Sequence, residues 1–265
     1  MRTLLTLFLC LSASIANADK TLELYFSNDS INGFQLSDAY ETHNMGATYV
    51  TGSHEISLDL GIVSPDMLVY RNQFRVANRS YGEIATLSYI NKLERYPSLS
   101  AGFYIKSSGK FSLDKAQAFA HKLFKLAKVD EINEIVRMPD RTWYGILAKF
   151  ESKPSTVEDV MKFNSVSTTL GSDRASVEVL RNREQHFKNF NFMTSYGVEV
   201  TAFDDVISSE PIGASPRKIN PIATFGVETT VANMELYLQQ RLSLPTITGD
   251  DSVYAVVTAG VRHSF

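Results

Sequence analysis

The side chains best suited to moving a proton near neutral pH are the five histidines of the sequence, because an imidazole titrates close to that pH. They are His43, His54, His121, His186 and His263. We take His186, at the end of the run Arg183-Glu184-Gln185-His186, as the candidate general base for an attacking water or hydroxyl. A lone histidine at a strand end is more often structural, so the other four compete with it.

Other candidate groups are polar residues near the ends of strand-like segments. Asn28 and Asp29 close the segment 21–28, where turn formation is the simpler explanation because both residue types commonly end strands. Ser53 and His54 are neighbours, so on a strand their side chains point to opposite faces and do not form a relay. The sequence contains no metal-binding cluster, phosphate-binding loop or nucleophile elbow.

The composition fits one domain with a large buried or lipid-facing apolar surface. The chain has 265 residues, of which 44% are hydrophobic and 21% charged, and its formal net charge is -3. Because there is no basic excess, nothing points to nucleic acid as a partner.

The N-terminus has the features of a secretory signal peptide. Arg2 supplies a positive charge, Leu4–Leu11 form a short apolar run, and Ala16-Asn17-Ala18 is an A-x-A cleavage site. We therefore expect residues 1–18 to be removed. The single cysteine, Cys10, lies within that run, so the mature chain has no disulfide.

Alternating apolar and polar residues predict strands throughout the mature chain. In the last segment, 253–265, every second residue from Val253 is apolar or aromatic except His263, and the intervening residues are mostly polar or small. A strand with lipid on one side and water on the other needs this pattern. The residues expected to face a polar interior are Glu178, Glu199, Glu228, Glu235, Arg241 and Arg262.

The predicted fold is all-β: a transmembrane antiparallel up-and-down β-barrel of about twelve strands spanning residues 19–265. The segments lie near 21–28, 43–51, 54–63, 80–91, 97–106, 141–151, 160–170, 174–184, 190–203, 221–231, 233–243 and 252–265. The longer polar connections, expected on the outer side, lie near 28–42, 64–79, 152–160 and 204–220. A soluble sandwich is the alternative, with the apolar face as its core.

One stretch breaks the strand rhythm. Within the connection 107–140, apolar residues of the segment 112–136 recur at helical spacing, and lysines occupy another face. We predict a helical insert in a loop that caps the barrel, plugs it or lies on the membrane surface.

Several motifs occur in a characteristic order along the chain. They are Phe26-Ser27-Asn28-Asp29, the stretch 37–46, the stretch 58–66 followed by Asn78-Arg79-Ser80-Tyr81-Gly82, a segment from Gly171 to His186, and Thr248-Gly249-Asp250-Asp251. Together they resemble the lipid A 3′-O-deacylase family of outer-membrane barrels. Asn44 stands where that family has a catalytic-site Thr, and Asn182 stands where it has a Gln four residues before the catalytic His.

The resemblance implies an ester hydrolase of the Gram-negative outer membrane. His186 would be the general base, Asn28 would hold the oxyanion with Asn44 nearby, and Asp29 would hold His186 or a metal. Family members resemble calcium-dependent enzymes, and Ca²⁺ suits carboxylate and amide oxygens. Arg71 would bind a phosphate of lipid A or lipopolysaccharide. The barrel-assembly machinery would recognise Phe265, and the protein would be a monomer.

Two other functions stay open. A non-enzymatic barrel, either a small channel or a structural protein, needs the same interior charges. The other is a different barrel hydrolase, such as a phospholipase or an acid-pair protease, although no spacing of candidate catalytic residues favours it. The deacylase hypothesis requires Asn28, Asp29 and His186 to converge at the outer rim, within hydrogen-bonding reach or one water of each other, whereas a channel requires a continuous lumen.

Overall fold

The computed structural model describes residues 20–28, 43–63, 69–70, 73–74, 82–109, 140–157, 160–205, 216–244 and 254–265. Residues 1–18, the predicted signal peptide, lie outside these described residues, as do Asp29 and Arg71. So does 110–139, which holds most of the expected helical insert. Within the described part of the chain, no helix is long and apolar enough to cross a membrane.

The described residues form fifteen strands, numbered here in chain order. Twelve of them are long: β1 Lys20–Asn28, β2 His43–Thr51, β3 His54–Val63, β6 Gly82–Leu93, β7 Tyr96–Gly109, β8 Arg141–Glu151, β10 Val160–Gly171, β11 Arg174–His186, β12 Asn191–Asp204, β13 Ile219–Val231, β14 Met234–Ser243 and β15 Tyr254–Ser264. The short strands are β4 Val69–Tyr70, β5 Gln73–Phe74 and β9 Ser155–Val157.

The long strands form one closed antiparallel barrel, which confirms the predicted fold class. Each pairs with its neighbours in sequence, β15 pairs with β1, and β10 pairs with both β8 and β11. The β1–β15 seam runs from the pair Thr21 and Ser264 to the pair Asn28 and Val257. Closure leaves no open sheet edge, which a bilayer requires because lipid cannot satisfy unpaired backbone groups.

The two rims of the barrel are defined by the chain termini. Lys20 and Ser264 lie at one rim, the terminal rim, which faces the periplasm in barrels of this type. Asn28, where β1 ends, lies at the opposite, outer rim. Because the strands alternate in direction, every connection can be assigned to a rim by counting.

The twelve predicted segments match the twelve long strands, with ends that differ by a few residues. Strand β7 continues to Gly109, so the first three residues of the expected insert are strand. The connection after β8 was expected on the outer side, but it leaves the terminal rim and contains β9, which pairs back onto β10. The outer connection between β10 and β11 is instead a tight turn.

Interior tyrosines lie flat against glycines of adjacent strands. A Cβ added to Gly46 would lie 2.3 Å from the Tyr25 ring, and one added to Gly260 would lie 2.4 Å from the Tyr237 ring. Tyr104 covers Gly145 in the same way, across the β7–β8 pair. These contacts fill the space beside each glycine with an aromatic ring and support register in the barrel wall.

Substitution of Gly197 tests how closely neighbouring strands approach. A Cβ at Gly197 would lie 1.9 Å from the backbone oxygen of Val179, whereas one at Gly226 first meets the flexible end of Met193 at 3.2 Å. We expect Gly197→Ala to lower the free energy of unfolding by about 1–3 kcal/mol through overpacking. Gly226→Ala, the matched control, should change it by less than about 1 kcal/mol. Thermal unfolding in detergent measures both, and equal effects would contradict this packing.

Candidate functional site

The structure separates the candidate residues between the two rims. His186 is the last residue of β11 and pairs with Asn191 at the start of β12, so it lies at the terminal rim. Asn28 lies at the outer rim. A hydrophobic band of about 25 Å separates the rims of such a barrel. The prediction that His186 and Asn28 converge is therefore wrong, because β11 runs from the outer rim to the terminal rim and ends on the side from which β1 starts.

His186 has a local structural role. Its Nδ1 donates to Asn191 Oδ1 at 2.8 Å, and Asn191 Nδ2 donates to Glu228 Oε1 at 3.1 Å. This chain of hydrogen bonds links the β11–β12 turn to an interior carboxylate.

Asn44 lies on the lumen side of the wall. It lines the interior cavity and pairs with Ser27. The position of Asn28 is one step further along β1, where the alternation of the strand assigns it to the outer face. The Asn44 and Asn28 positions therefore lie on opposite faces of the wall, and the catalytic role of Asn44 stays a prediction.

A cross-strand row leads from Asn28 along the outer rim. Register pairs Asn28 with His43, His43 with Ile62, and Ile62 with Glu83. Directly paired residues in a sheet share one face. The four positions therefore belong to the outer face of the wall, and we call them the rim row.

Two residues of the rim row are buried, although the row occupies the outer face. Ile62 is 2% exposed and Glu83 is 6% exposed. Lower on the same strands, Leu24 of β1 and Leu87 of β6 are well exposed on the side that faces lipid. Burial returns at the terminal end of β2, where Tyr49 is 7% exposed and Thr51 is 4% exposed on the same face.

The opposite side of the barrel lacks this cover. Tyr144 near the outer end of β8 is 69% exposed, and Ile219 at the outer end of β13 is 64% exposed. Ala255 on β15, next to the β1 seam, is again buried. Among the described residues, the covered stretch of outer face therefore runs from β15 across β1 to β6, with Asn28 near its middle.

Sequence reasoning missed Glu83. The sequence does contain a signal for this residue. Glu83 is acidic, but the alternating pattern of β6 places it on the apolar face, at the outer start of the strand. A carboxylate is almost never fully buried unless it is paired. The unusual combination of face and residue type could have marked it before the structure.

The barrel interior holds a cavity of about 800 Å³ lined largely by polar and charged side chains. Arg241 Nη2 lies 2.5 Å from Glu178 Oε2, and Arg174 Nη2 lies 2.6 Å from Glu199 Oε1. All six charged residues expected to face the interior do so, since each forms an ion pair within it. These pairs tie strands together across the lumen.

At the outer end of the lumen, Asp173 is fully buried in the β10–β11 turn. It accepts hydrogen bonds from Tyr104 Oη and from Lys106 Nζ. Beside it, Asp205 Oδ2 accepts from Trp143 Nε1 at 3.1 Å and from Arg141 Nη1 at 3.2 Å. The turn is therefore fixed from both sides and does not offer a free reactive group.

At the terminal rim, one arginine meets three carboxylates from three strands. Arg262 Nη1 lies 2.9 Å from Glu235 Oε2 and 3.6 Å from Glu228 Oε2, and its Nε lies 3.4 Å from Glu23 Oε2. Tyr237 Oη donates to Glu23 Oε1 at 2.6 Å. We call these residues the Arg262 network.

The donor chemistry near Asn28 suits a hard cation only in part. Amide and carboxylate oxygens are the ligands that Ca²⁺ prefers, and Asn28 and Asp29 would supply them. Within the described part of the chain, however, no group of three or more His, Cys, Asp or Glu side chains is arranged to hold a metal. Asp29 lies outside that part, so the expected metal site stays a prediction.

Comparison with solved structures shows the same architecture in an outer-membrane protein. LpxR from Salmonella typhimurium superposes with a TM-score of 0.70 at 12% identity, covering 92% of this chain and 100% of that chain. The KdgM porin gives 0.41 at 10% identity, covering 92% and 99%. The translocator domain of the autotransporter NalP from Neisseria meningitidis gives 0.43 at 10% identity, covering 99% and 94%.

No protein-family model and no curated protein sequence matches this chain. The closed twelve-stranded barrel nevertheless defines the class: this is a protein with an outer-membrane β-barrel fold. Within that class it has the fold of LpxR, over nearly the whole length of both chains.

The Arg262 network yields a stability prediction. Arg262→Met leaves three interior carboxylates without this shared cation, and we expect unfolding to become easier by about 1–2 kcal/mol. That range lies below the cost of breaking a fully buried pair because the Arg262 side chain is 35% exposed. Thermal unfolding in detergent is the measurement.

Lys149→Met provides the matched control for Arg262→Met. Lys149 Nζ pairs with Glu151 Oε1 at 2.8 Å, but both side chains are at least 40% exposed. Its loss should cost less than about 1 kcal/mol. If the two variants unfold at the same temperature, Arg262 does not organise the terminal rim.

Proposed function

We propose that this protein is an esterase that removes an ester-linked acyl chain from lipid A, with its reaction centre at the outer rim beside Asn28. The observation that supports it most is the covered stretch of outer face, where Glu83 of β6 is buried in the same cross-strand row as Asn28. The protein whose fold it shares, LpxR, is a lipid A 3′-O-deacylase.

The position of this stretch matches the chemistry of the substrate. Lipid A lies in the outer leaflet of the outer membrane, with its sugars at the surface and its acyl chains in the bilayer. The ester bonds lie between these two zones, beside the outer end of the barrel wall. A site on the outer face can receive such a bond without drawing acyl chains into the polar lumen. That transfer would be unfavourable, because apolar surface would leave the hydrocarbon of the bilayer.

The general base must be a histidine of the outer rim, and His186 does not qualify. His43 opens β2 opposite Asn28. His121 belongs to the connection between Gly109 and Arg141, which are the outer ends of β7 and β8. Gln117 stands four residues before His121 and so supplies the Gln that the resemblance requires, whereas His186 has Asn182 at that distance.

The proposed reaction is a base-assisted hydrolysis. The rim histidine takes a proton from water as the water oxygen attacks the ester carbonyl carbon. The amide N–H of Asn28 donates to the oxyanion that forms. When this intermediate collapses, the C–O bond to the sugar breaks, and the sugar oxygen takes the proton back from the imidazolium. The products are a free fatty acid and a sugar hydroxyl.

The remaining candidates have supporting roles. Asp29 would hold a calcium ion or the histidine, because its carboxylate follows Asn28 directly. Arg71, in the connection between β3 and β6, would bind a phosphate of lipid A through its forked donors. We also propose that the barrel-assembly machinery recognises Phe265, which is exposed at the terminal rim and whose N–H donates to the carbonyl of Lys20 at 2.8 Å.

A small channel is the second candidate, and the interior cavity is the observation in its favour. Its charged groups are largely bonded to one another, as in the Arg241–Glu178 and Lys106–Asp173 pairs. Such pairs stabilise the wall and also narrow the lumen. A conducting channel would therefore need a continuous water-filled path beside these ion pairs.

The proposed function predicts a change in lipid A composition. Cells that express the protein with calcium present should yield lipid A lacking one acyl-chain mass, as read by mass spectrometry. Asn28→Ala should reduce this activity by about 10²–10³-fold, the usual effect of losing one oxyanion donor. Either His121→Ala or His43→Ala should abolish it, and the one that does identifies the base.

His186→Ala is the matched control, because it removes a histidine at the terminal rim. It should leave deacylation unchanged. Unaltered lipid A from a folded barrel supplied with calcium would overturn the esterase proposal, and stepwise conductance in planar bilayers would then favour the channel.

A further inference from the structure

Three cations lie on the outward face of β10 and β11, the side of the wall that meets lipid. Lys162 of β10 is the direct cross-strand partner of Arg183 of β11, and Arg181 lies on the same face two residues away. Glu178 of β11 faces the lumen, where it pairs with Arg241, so the odd-numbered residues of that strand face outward. The three cationic side chains are exposed, and we call them the basic wall patch.

The basic wall patch has no counter-charge of its own. None of its three side chains forms an ion pair with another residue of the described part of the chain. The interior cations Arg174, Arg241 and Arg262, by contrast, each lie beside a carboxylate. On β12 the direct partners of the two arginines are the neutral residues Thr194 and Tyr196. Because like charges on directly opposed positions are destabilising, the patch needs an anion from outside the protein.

Apolar side chains flank the basic wall patch along both strand directions. Toward the outer rim, Val177 and Val179 of β11 are exposed on the same face. Toward the terminal rim, Phe187, Phe190 and Phe192 are exposed in and beside the β11–β12 turn. Cations on the lipid-facing side of a barrel become less favourable with distance from the membrane surface. An anion that joins this patch must therefore be compatible with apolar surroundings on both sides.

Height along the strand assigns the basic wall patch to one leaflet. Arg183 and Arg181 precede His186, the last residue of β11, by three and five residues. At about 3.3 Å per residue and a strand tilt of about 40°, they lie roughly 8 and 13 Å from the terminal rim, and the apolar band is about 25 Å tall. Long arginine side chains reach toward the nearer headgroups, which are those of the periplasmic leaflet. Lipid A lies in the opposite leaflet.

An anionic phospholipid combines the charge and the apolar body that this position requires. We propose that Lys162, Arg181 and Arg183 bind the phosphate of an anionic phospholipid in the periplasmic leaflet, with its acyl chains against the outward face of β10 to β12. The forked donors of the two guanidinium groups match phosphate oxygens, and basic clusters at membrane level are typical binding sites for anionic headgroups. A free phosphate would supply the charge but not the apolar contact.

Thermal unfolding of the folded barrel in dodecyl maltoside micelles tests this site. A ligand that binds only the folded state raises the melting temperature. The wild type should melt about 2–4 °C higher with added phosphatidylglycerol than with added phosphatidylcholine. Arg181→Gln combined with Arg183→Gln should abolish this difference and leave the melting temperature in phosphatidylcholine no lower. A purely structural role of the arginines would instead lower the melting temperature equally in both lipids.

Arg95→Gln combined with Lys153→Gln is the matched control. Arg95 lies in the β6–β7 turn and Lys153 in the connection after β8, so both are exposed at the terminal rim but off the wall. This variant loses the same charge from the same rim and should keep the preference for phosphatidylglycerol.

Native mass spectrometry measures the bound lipid directly. From an equimolar mixture, the wild type should retain phosphatidylglycerol over phosphatidylcholine by about fivefold, which corresponds to about 1 kcal/mol. The variant with both Arg181→Gln and Arg183→Gln should retain the two lipids equally.

Three results would overturn the inference. One is a wild type that melts at the same temperature in both lipids. Another is a preference for phosphatidylglycerol that survives the loss of both arginines. The third is a full melting-temperature shift with inorganic phosphate in phosphatidylcholine micelles, which would assign the patch to a soluble anion. Should the double variant fail to fold, Arg181→Gln and Arg183→Gln are measured singly, and each should reduce the difference between the lipids by about half.

Discussion

Closure of the hydrogen-bonded ladder is the constraint on which the rest of this structure depends. In a bilayer every backbone N–H and C=O must find a partner within the protein, so β15 must meet β1 and β10 must bridge β8 and β11. Once the ladder is closed, each residue has a fixed face and a fixed height. Lipid, lumen and rim are then assigned to every side chain by its position along its strand.

This constraint explains why much of the fold could be predicted from the sequence. The alternation of apolar and polar residues in segments such as 253–265 indicates which residues face lipid, because successive side chains of a strand point to opposite faces. The interior charges Glu178 and Arg241 were identified in the same way, and their ion pair follows from facing one lumen. Strand number and fold class both come from counting such segments.

The candidate site was harder, because alternation gives the face of a residue but not its neighbours across the barrel. Direction along the axis follows only from the count of strands, and by that count β11 ends at the terminal rim with His186. The short polar runs that carry the motif resemblance hold no information about direction along the barrel axis. Glu83 was missed for a related reason. Its burial results from parts of the chain distant in sequence, which no local pattern of residues reveals.

The Arg262 network also bears on how the barrel is completed. The carboxylates of Glu23, Glu228 and Glu235 belong to β1, β13 and β14, and the cation they share, Arg262, belongs to β15. A ring closed directly between β14 and β1 would bring three like charges together without that cation, which is unfavourable. The network therefore favours the twelve-stranded circumference over a smaller one.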